Sequence, residues 1–255
     1  MAMTQSRTKT PQTSLIGESL DIARSLLLAL LIVGVVRCLA YQPFTIPSSS
    51  MSPGLLTGDY ILVSKYPYGW SLASVPFGQP QGTGRLMKAE PKRGDVVVFR
   101  LPLDPSKVWI KRVIGLPGDR VETRHGQVFL NGQSVSQTSL GSTTDADDPY
   151  RPVEAQKEQL PSGRSYVTYN GGDGLNGDNR GPFIVPAGHY MMMGDNRDNS
   201  LDGRWPSPEG LGMVPASHLI GRAERVLWSW KPHAAWPQPW TWLSLRGDRL
   251  MKRIE

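Results

Sequence analysis

Cysteine is nearly absent from this chain. Cys38 stands alone in 255 residues, so no intramolecular disulfide can staple the fold. It lies in an apolar stretch with no His or Asp partner nearby, and reads as a small buried hydrophobe rather than a nucleophile. Histidine is scarce too. His125, His189, His218 and His233 fall in no compact motif with Ser or Asp, and a Gly-x-Ser-x-Gly elbow is missing. Nothing therefore supports a Ser-His-Asp hydrolase. Lys/Arg-rich blocks are lacking as well. The net charge is +6 but the basic residues are spread along the chain, which favours an anionic membrane surface over nucleic acid as a partner. No repeat has a solenoid period, although Gly-Asp-Asn-Arg occurs at both 177–180 and 194–197.

One apolar run stands out near the start. Ser25-Leu-Leu-Leu-Ala-Leu-Leu-Ile-Val-Gly-Val-Val36 is uncharged over 12 residues, short of the roughly 20 that a spanning helix needs. It can be extended to Tyr41, because Arg37 can snorkel to an interface, with Asp21 and Arg24 at the other. We read Leu20–Tyr41 as a transmembrane helix behind a cytoplasmic tail over residues 1–19, of which Met1 to Gly17 read as polar and disordered. A cleaved leader (small Cys38 and Ala40 at its end) and a core helix are the competing readings. Arg7, Lys9 and Arg24 before the span, against Arg37 after it, orient the N-terminus inward and the remainder outward.

With 27 glycines and 22 prolines, the chain favours short strands and turns over long helices. Asp59–Ser64, Asp95–Arg100, Val108–Ile114, Gln127–Leu130 and Tyr190–Met193 are short, β-branched or aromatic, and bounded by turn residues. Asn131-Gly132 marks a hairpin. The expectation is a mostly β protein. Residues 134–180 show little periodicity and predict an insertion of irregular loops and a few weak strands. The division that follows is 42–133 and 186–255 for one domain in two parts, around an inserted subdomain at 134–185. Five of the eight tryptophans lie from Leu227 onward, a placement that suits a core or a lipid interface.

Three segments carry chemistry. Phe44-Thr-Ile-Pro-Ser-Ser-Ser-Met-Ser-Pro-Gly-Leu55 sets three serines in a row between prolines. A serine nucleophile needs a base, and a lysine desolvated among apolar groups can be one. Lys111, in Val108-Trp-Ile-Lys-Arg-Val-Ile114, is a candidate, although a lysine on a mixed apolar strand is usually an exposed or edge residue; strand alternation puts it on the face of Trp109 and Val113, with Ile110 and Arg112 on the other. Gly194-Asp-Asn-Arg-Asp-Asn-Ser-Leu-Asp-Gly-Arg204 reads as a loop held by ion pairs and side-chain-to-backbone hydrogen bonds. Asp198-x-Ser200-x-Asp202-Gly203-x5-Glu209 approximates a calcium-loop spacing, but Pro206 and Pro208 obstruct the exiting helix, and no metal or cofactor is expected.

Taken together, Ile46–Met51, Gly94–Phe99, Ile110–Asp119 and Gly194–Arg204 resemble the ordered boxes of bacterial type I signal peptidases, serine proteases with a Ser-Lys dyad. The resemblance runs from the anchor to about Arg222. It implies a coiled antiparallel sheet with an inserted subdomain, and a bacterial inner-membrane endopeptidase that removes signal peptides from preproteins near the export translocon. By resemblance Ser50 is the nucleophile and Lys111 the base. Ser48 corresponds to the oxyanion donor, Ser200 to a serine that hydrogen-bonds and orients the lysine, and Asp202 and Arg204 to a supporting ion pair. Phe44, Ile46, Met51, Leu55, Val98, Trp109 and Ile110 match pocket-lining positions for small substrate residues. Ser49 replaces the family's usual glycine and offers a rival nucleophile; Gly203 stands where serine is common. A specialised peptidase for pilus or conjugation substrates, and a non-catalytic membrane-tethered β-domain that binds exported proteins, are the alternatives.

Overall fold

In a computed structural model of the chain, the described residues are 15–76, 78–80, 82, 84–231 and 243–255. Most of the polar tail expected over 1–19, and Trp236, Trp240 and Trp242, lie outside them. The first element is a helix, α1 (Leu15–Leu39). Its span from Gly17 to Leu39 is 23 residues with none of the apolar window buried in protein. At 1.5 Å per residue it is about 34 Å long, enough for a hydrocarbon core of roughly 30 Å. The helix ends two residues before the expected Tyr41. The reason is Pro43, which disfavours helix in the residue before it and has no N–H to donate. Tyr41 instead opens an edge strand, β1 (Tyr41–Thr45), whose sole neighbour in the sheet is β2 (Asp59–Ser64). An edge tolerates the proline.

The remaining strands are β3 (Val96–Arg100), β4 (Val108–Gly115), β5 (Arg120–Arg124), β6 (Gln127–Leu130), β7 (Gln133–Ser134), β8 (Ser136–Asp145), β9 (Asp148–Gln159), β10 (Ser165–Asn170), β11 (Arg180–Ile184), β12 (His189–Met193), β13 (Val214–Pro215) and β14 (Leu219–Ser229). Seven of them make a curled antiparallel sheet in the order β1-β2-β14-β3-β4-β12-β13. Register shifts in β14 between Ala223 and Arg225 and between Val226 and Trp228 increase its twist. Both faces of this sheet are covered. In β3, Val96 and Val98 join one apolar cluster with Ile61, Val63 and Val226, while Val97 and Phe99 join another with Val113, Tyr190 and Met192. Burial on both sides explains why Val-Val-Val-Phe is a continuous apolar run rather than an alternating one. In β12, Met191 and Met193 turn to a third cluster with Ile114, Val121 and Val128.

The stretch expected to be irregular over 134–180 is instead organised. β8 and β9, of 10 and 12 residues, pair along their length, and β10 completes a three-stranded sheet. The pattern was hidden because β8 is exposed almost throughout, so its Ser and Thr residues need no apolar alternation. Pro149 and Pro152 also obscure β9, yet both precede the residues that pair with β10, where β9 has β8 alone as neighbour. A four-stranded sheet, β11-β5-β6-β7, contains the Asn131-Gly132 hairpin, with both residues at positive φ. At the chain's end Trp228 stacks on Tyr60 at 5.1 Å, with Trp230 edge-on at 5.4 Å.

Candidate active site

The three-serine segment leaves β1 and turns sharply. Ser48, in extended conformation, precedes a 3-10 turn over Ser49–Met51. Buried Met51 anchors the turn in the core below, and Leu55 N–H closes it on Met51 O at 2.9 Å. The loop is fastened from outside as well. Arg249 holds buried Asp59 through Nε at 2.9 Å and donates to Gly54 O at 2.9 Å. From the other side Asn196 N–H donates to Ser50 O at 3.2 Å, and Asn196 Nδ2 donates to Ser49 O at 3.2 Å and to Asp145 Oδ2 at 2.6 Å.

This fastening separates the three hydroxyls. Ser50 Oγ lies 2.6 Å from Lys111 Nζ, which donates to it. Ser49 Oγ accepts instead from Asn199 Nδ2 at 2.7 Å. Ser48 Oγ is 3.4 Å from Ser50 Oγ, within one substituent of the same point. Lys111 sits on β4 opposite Val97 of β3, with its ammonium 5.6 Å from the centre of the Trp109 ring. Strand alternation is as expected: Trp109 and Val113 pack on one cluster, Ile110 on the other. Burial pushes the Lys111 ammonium down from 10.5 to about 8; Asp202 and Asp195 pull it up, and Arg204 pushes it down again. About a tenth of such a lysine is neutral at pH 7.

Asp202 is fully buried and occupied. Arg204 Nε and Nη2 reach its two oxygens at 2.9 Å each, and Gly194 N–H donates to Oδ2 at 3.0 Å. Burial alone would raise its carboxyl, but the Arg204 charge and these hydrogen bonds outweigh it and hold the group low. Gly194 has a reason to be glycine: a Cβ there would stand 2.4 Å from Ser200 Oγ and 2.5 Å from Ser50 O. Ser200 does not make the expected hydrogen bond to Lys111. Its buried Oγ has no partner among the described residues, although it faces the same cleft. A cleft of about 530 Å³ opens over these groups, lined by Ser48, Ser50, Lys111 and Ser200 together with Trp109 and Ile110.

The sequence relationships fall on the same ground. The family model described as signal peptidase, peptidase S26, matches residues 19–228, a span that holds Ser50, Lys111 and the 194–204 loop. The chain belongs to the S26 signal peptidase family. Signal peptidase I of Rickettsia typhi is 40% identical over 205 residues, covering 77% of this chain and 75% of its own. Signal peptidase I of Pseudomonas fluorescens is 40% identical over 216 residues, covering 82% and 72%. A solved signal peptidase I from Enterococcus faecalis V583 is 24% identical and covers 52% of this chain and 97% of its own, at a TM-score of 0.31. The activity is that of a signal peptidase I, a serine endopeptidase acting on preproteins that bear signal peptides.

Of the seven residues matched to signal peptidase pockets, Trp109 and Ile110 line the cleft. Ile46, Met51, Leu55 and Val98 lie in the core cluster behind it, and half-buried Phe44 packs on that cluster from the β1 side. Sequence reasoning passed over Asn196 and Asn199 as the residues that sort the serines, although both stand in the recognised loop. Asp145 and Arg249 gave no signal at all, because each acts from a segment far away in the chain.

Proposed function

We propose that Ser50 is the nucleophile and Lys111 the general base, and that they cut preproteins on the outer face of a bacterial inner membrane. The 2.6 Å contact between Ser50 Oγ and a buried Lys111 Nζ carries this reading. Neutral Lys111 takes the hydroxyl proton as Ser50 Oγ attacks the carbonyl carbon before the cut. The oxyanion is met by the Ser48 hydroxyl and the Ser50 N–H. Lys111, now an ammonium, gives its proton to the departing amine, and the signal peptide stays on Ser50 as an ester. Lys111 then activates a water that hydrolyses this ester and regenerates the hydroxyl. The spare hydroxyl of Ser200 steadies the ammonium between these steps, and Asp202 with Arg204 fixes the loop that carries Ser200. Pro47, Trp109 and Ile110 leave room for small side chains beside the bond and reject large ones.

In this reading α1 crosses the membrane once, with Arg24 toward the inside and Arg37 toward the outside. The lipid surface and the neighbourhood of the translocon follow as the working environment, and residues 134–185 are an inserted subdomain. The test is a preprotein incubated with the full chain in detergent. A single cut at the signal junction is expected, abolished in Ser50→Ala and in Lys111→Ala without loss of folding. Appreciable cleavage by Ser50→Ala would reject the nucleophile.

A further inference from the structure

The described residues contain a second buried lysine that the dyad does not use. Lys65, fully buried, follows β2 at the start of a 3-10 turn over Tyr66–Tyr68. Its Nζ donates to Arg37 O at 2.7 Å and also reaches Ser74 O. Its own N–H donates to Ala40 O at 2.9 Å. Trp70 Nε1 donates to Leu39 O at 2.7 Å. Ser74 O ties the Lys65 ammonium to the turn over Leu72–Ser74. Arg37 O and Leu39 O belong to the last turn of α1 and Ala40 O follows directly, where the last carbonyls of any helix lack intrahelical donors. A cation there also meets the negative end of the helix dipole.

We propose that Lys65, with Trp70, is a positioning residue that locks the end of the membrane helix to the catalytic sheet and so sets the height of the Ser50–Lys111 cleft above the lipid. It rests on the reading of α1 as a membrane span. One residue, Ala40, separates α1 from β1, so no flexible linker intervenes. From Tyr41 the chain runs along β1 into the serine segment, and five strand residues advance about 17 Å. With the helix end clamped, that distance is a fixed strut; unclamped, the joint at Ala40 is a hinge. The substrate makes the height matter. A signal peptide keeps its apolar segment in the bilayer, and the bond to be cut follows it at a short distance. A cleft held at one level meets that bond; a cleft free to tilt meets it in a fraction of encounters. Tyr41 and Tyr66, joined through their hydroxyls at 3.0 Å and packed edge-to-face at 5.7 Å, brace the joint on the same side with rings suited to the membrane interface.

The experiment compares two substrates. One is a preprotein with its signal segment inserted in vesicles of phosphatidylethanolamine and phosphatidylglycerol that carry the full-length enzyme. The other is a soluble peptide spanning the same cut. Lys65→Met removes the donor at similar length, and Trp70→Phe removes only the indole N–H. We expect Lys65→Met to lower kcat/KM on the inserted preprotein by about tenfold or more, with the peptide changed by less than about twofold. Trp70→Phe should shift the same ratio less, and Lys65→Arg, which keeps a donor, should recover most of it. Equal losses on both substrates in Trp70→Phe, or an unchanged preprotein rate in Lys65→Met, would overturn the inference. Vesicle flotation of the wild-type enzyme separates the premise: failure to float with lipid would reject the membrane span itself, and the clamp with it.

Discussion

If Lys111 is held partly neutral by burial, then the lysine costs the fold stability, and removing it should yield a more stable, inactive protein. The sign follows from the two titrations. The unfolded chain binds the Lys111 proton freely up to pH 10.5, whereas the folded chain binds it only below about 8. Between those values the unfolded state holds more protons, so stability rises with pH. The cost is complete below about pH 8, shrinks through the interval and vanishes above 10.5. Its full size is about 3 kcal/mol, at 1.36 kcal/mol for each unit of separation.

Lys111→Met is the variant that isolates this cost. Methionine has similar length, fills the same space and carries no charge. The acids that face the lysine are not stranded by the change. Asp202 keeps Arg204 and the Gly194 N–H, and Asp195 keeps both its bonds from Arg112 at 2.7 Å. Half-buried Ser50 can turn to water. At pH 6.5 the variant should gain about 3 kcal/mol, and at pH 9.5 about 1 kcal/mol. For a chain of this size the first figure corresponds to a rise in Tm of about 6–12 °C and the second to about 2–4 °C. Thermal unfolding of the detergent-solubilised proteins at the two pH values measures both, and a preprotein assay should find the variant dead. A variant that melts no higher than wild type at pH 6.5, or whose gain is the same at both pH values, would refute the argument that desolvation lowers the lysine.

Three further outcomes follow from the site. Ser49→Gly should cleave within about threefold of wild type, since its hydroxyl is engaged by Asn199 and stands outside the dyad; a rate lost by Ser49→Gly and kept by Ser50→Ala would exchange the two roles. Ser48→Ala should lower kcat by about 10²–10³-fold with a smaller change in KM, measured in single-turnover cleavage of a peptide. The rate–pH profile on a soluble peptide should climb through an acidic limb near 8 and level above it, with Lys111→Arg inactive because a guanidinium stays protonated. Burial also lowers Lys65 to about 8, so the same limb retained in Lys65→Met is needed to assign it to Lys111.

What the sequence made legible was whatever repeats with a short period or stands in a short segment. Val96–Arg100 and Val108–Gly115 are strands whose existence can be read from their β-branched and aromatic side chains, although the burial of Lys111 and Arg112 in the second cannot. Ser50 and Lys111 could be singled out through the segments around them, and the fold brings the two within 2.6 Å; the mostly β reading followed from the same strands. β8 and β9 were not legible, because β8 lies exposed almost throughout and β9 buries few apolar residues, one of its buried side chains being the charged Glu158. The end of α1 was misplaced by two residues because hydropathy continues past Leu39 while Pro43 decides the backbone. The hydrogen bond between Lys111 and Ser200 was inferred from resemblance alone, and among the described residues that hydroxyl is unpaired.

Least legible of all was the way charge is spent around Ser50. Three arginines are buried beside the 194–204 loop, each against one acid: Arg112 on Asp195, Arg197 on Glu158, and Arg204 on Asp202. The third pair can be read within the loop. The other two draw Arg112 from β4 and Glu158 from β9, and no local pattern announces either. Buried pairs of this kind add little net stability over apolar packing, but removing one partner costs about 3–5 kcal/mol. Their effect here is positional. Arg204 also donates to Arg197 O, tying the second pair to the third. Asp195 O receives Tyr169 N–H at 2.9 Å from β10, and the next residue, Asn196, donates its N–H to Ser50 O. Each tie removes a way for the loop to move relative to the serines. If Lys111 is the base that we propose, it is neutral about one time in ten at pH 7, and the rigid charged frame around it compensates in geometry for what the lysine lacks in basicity.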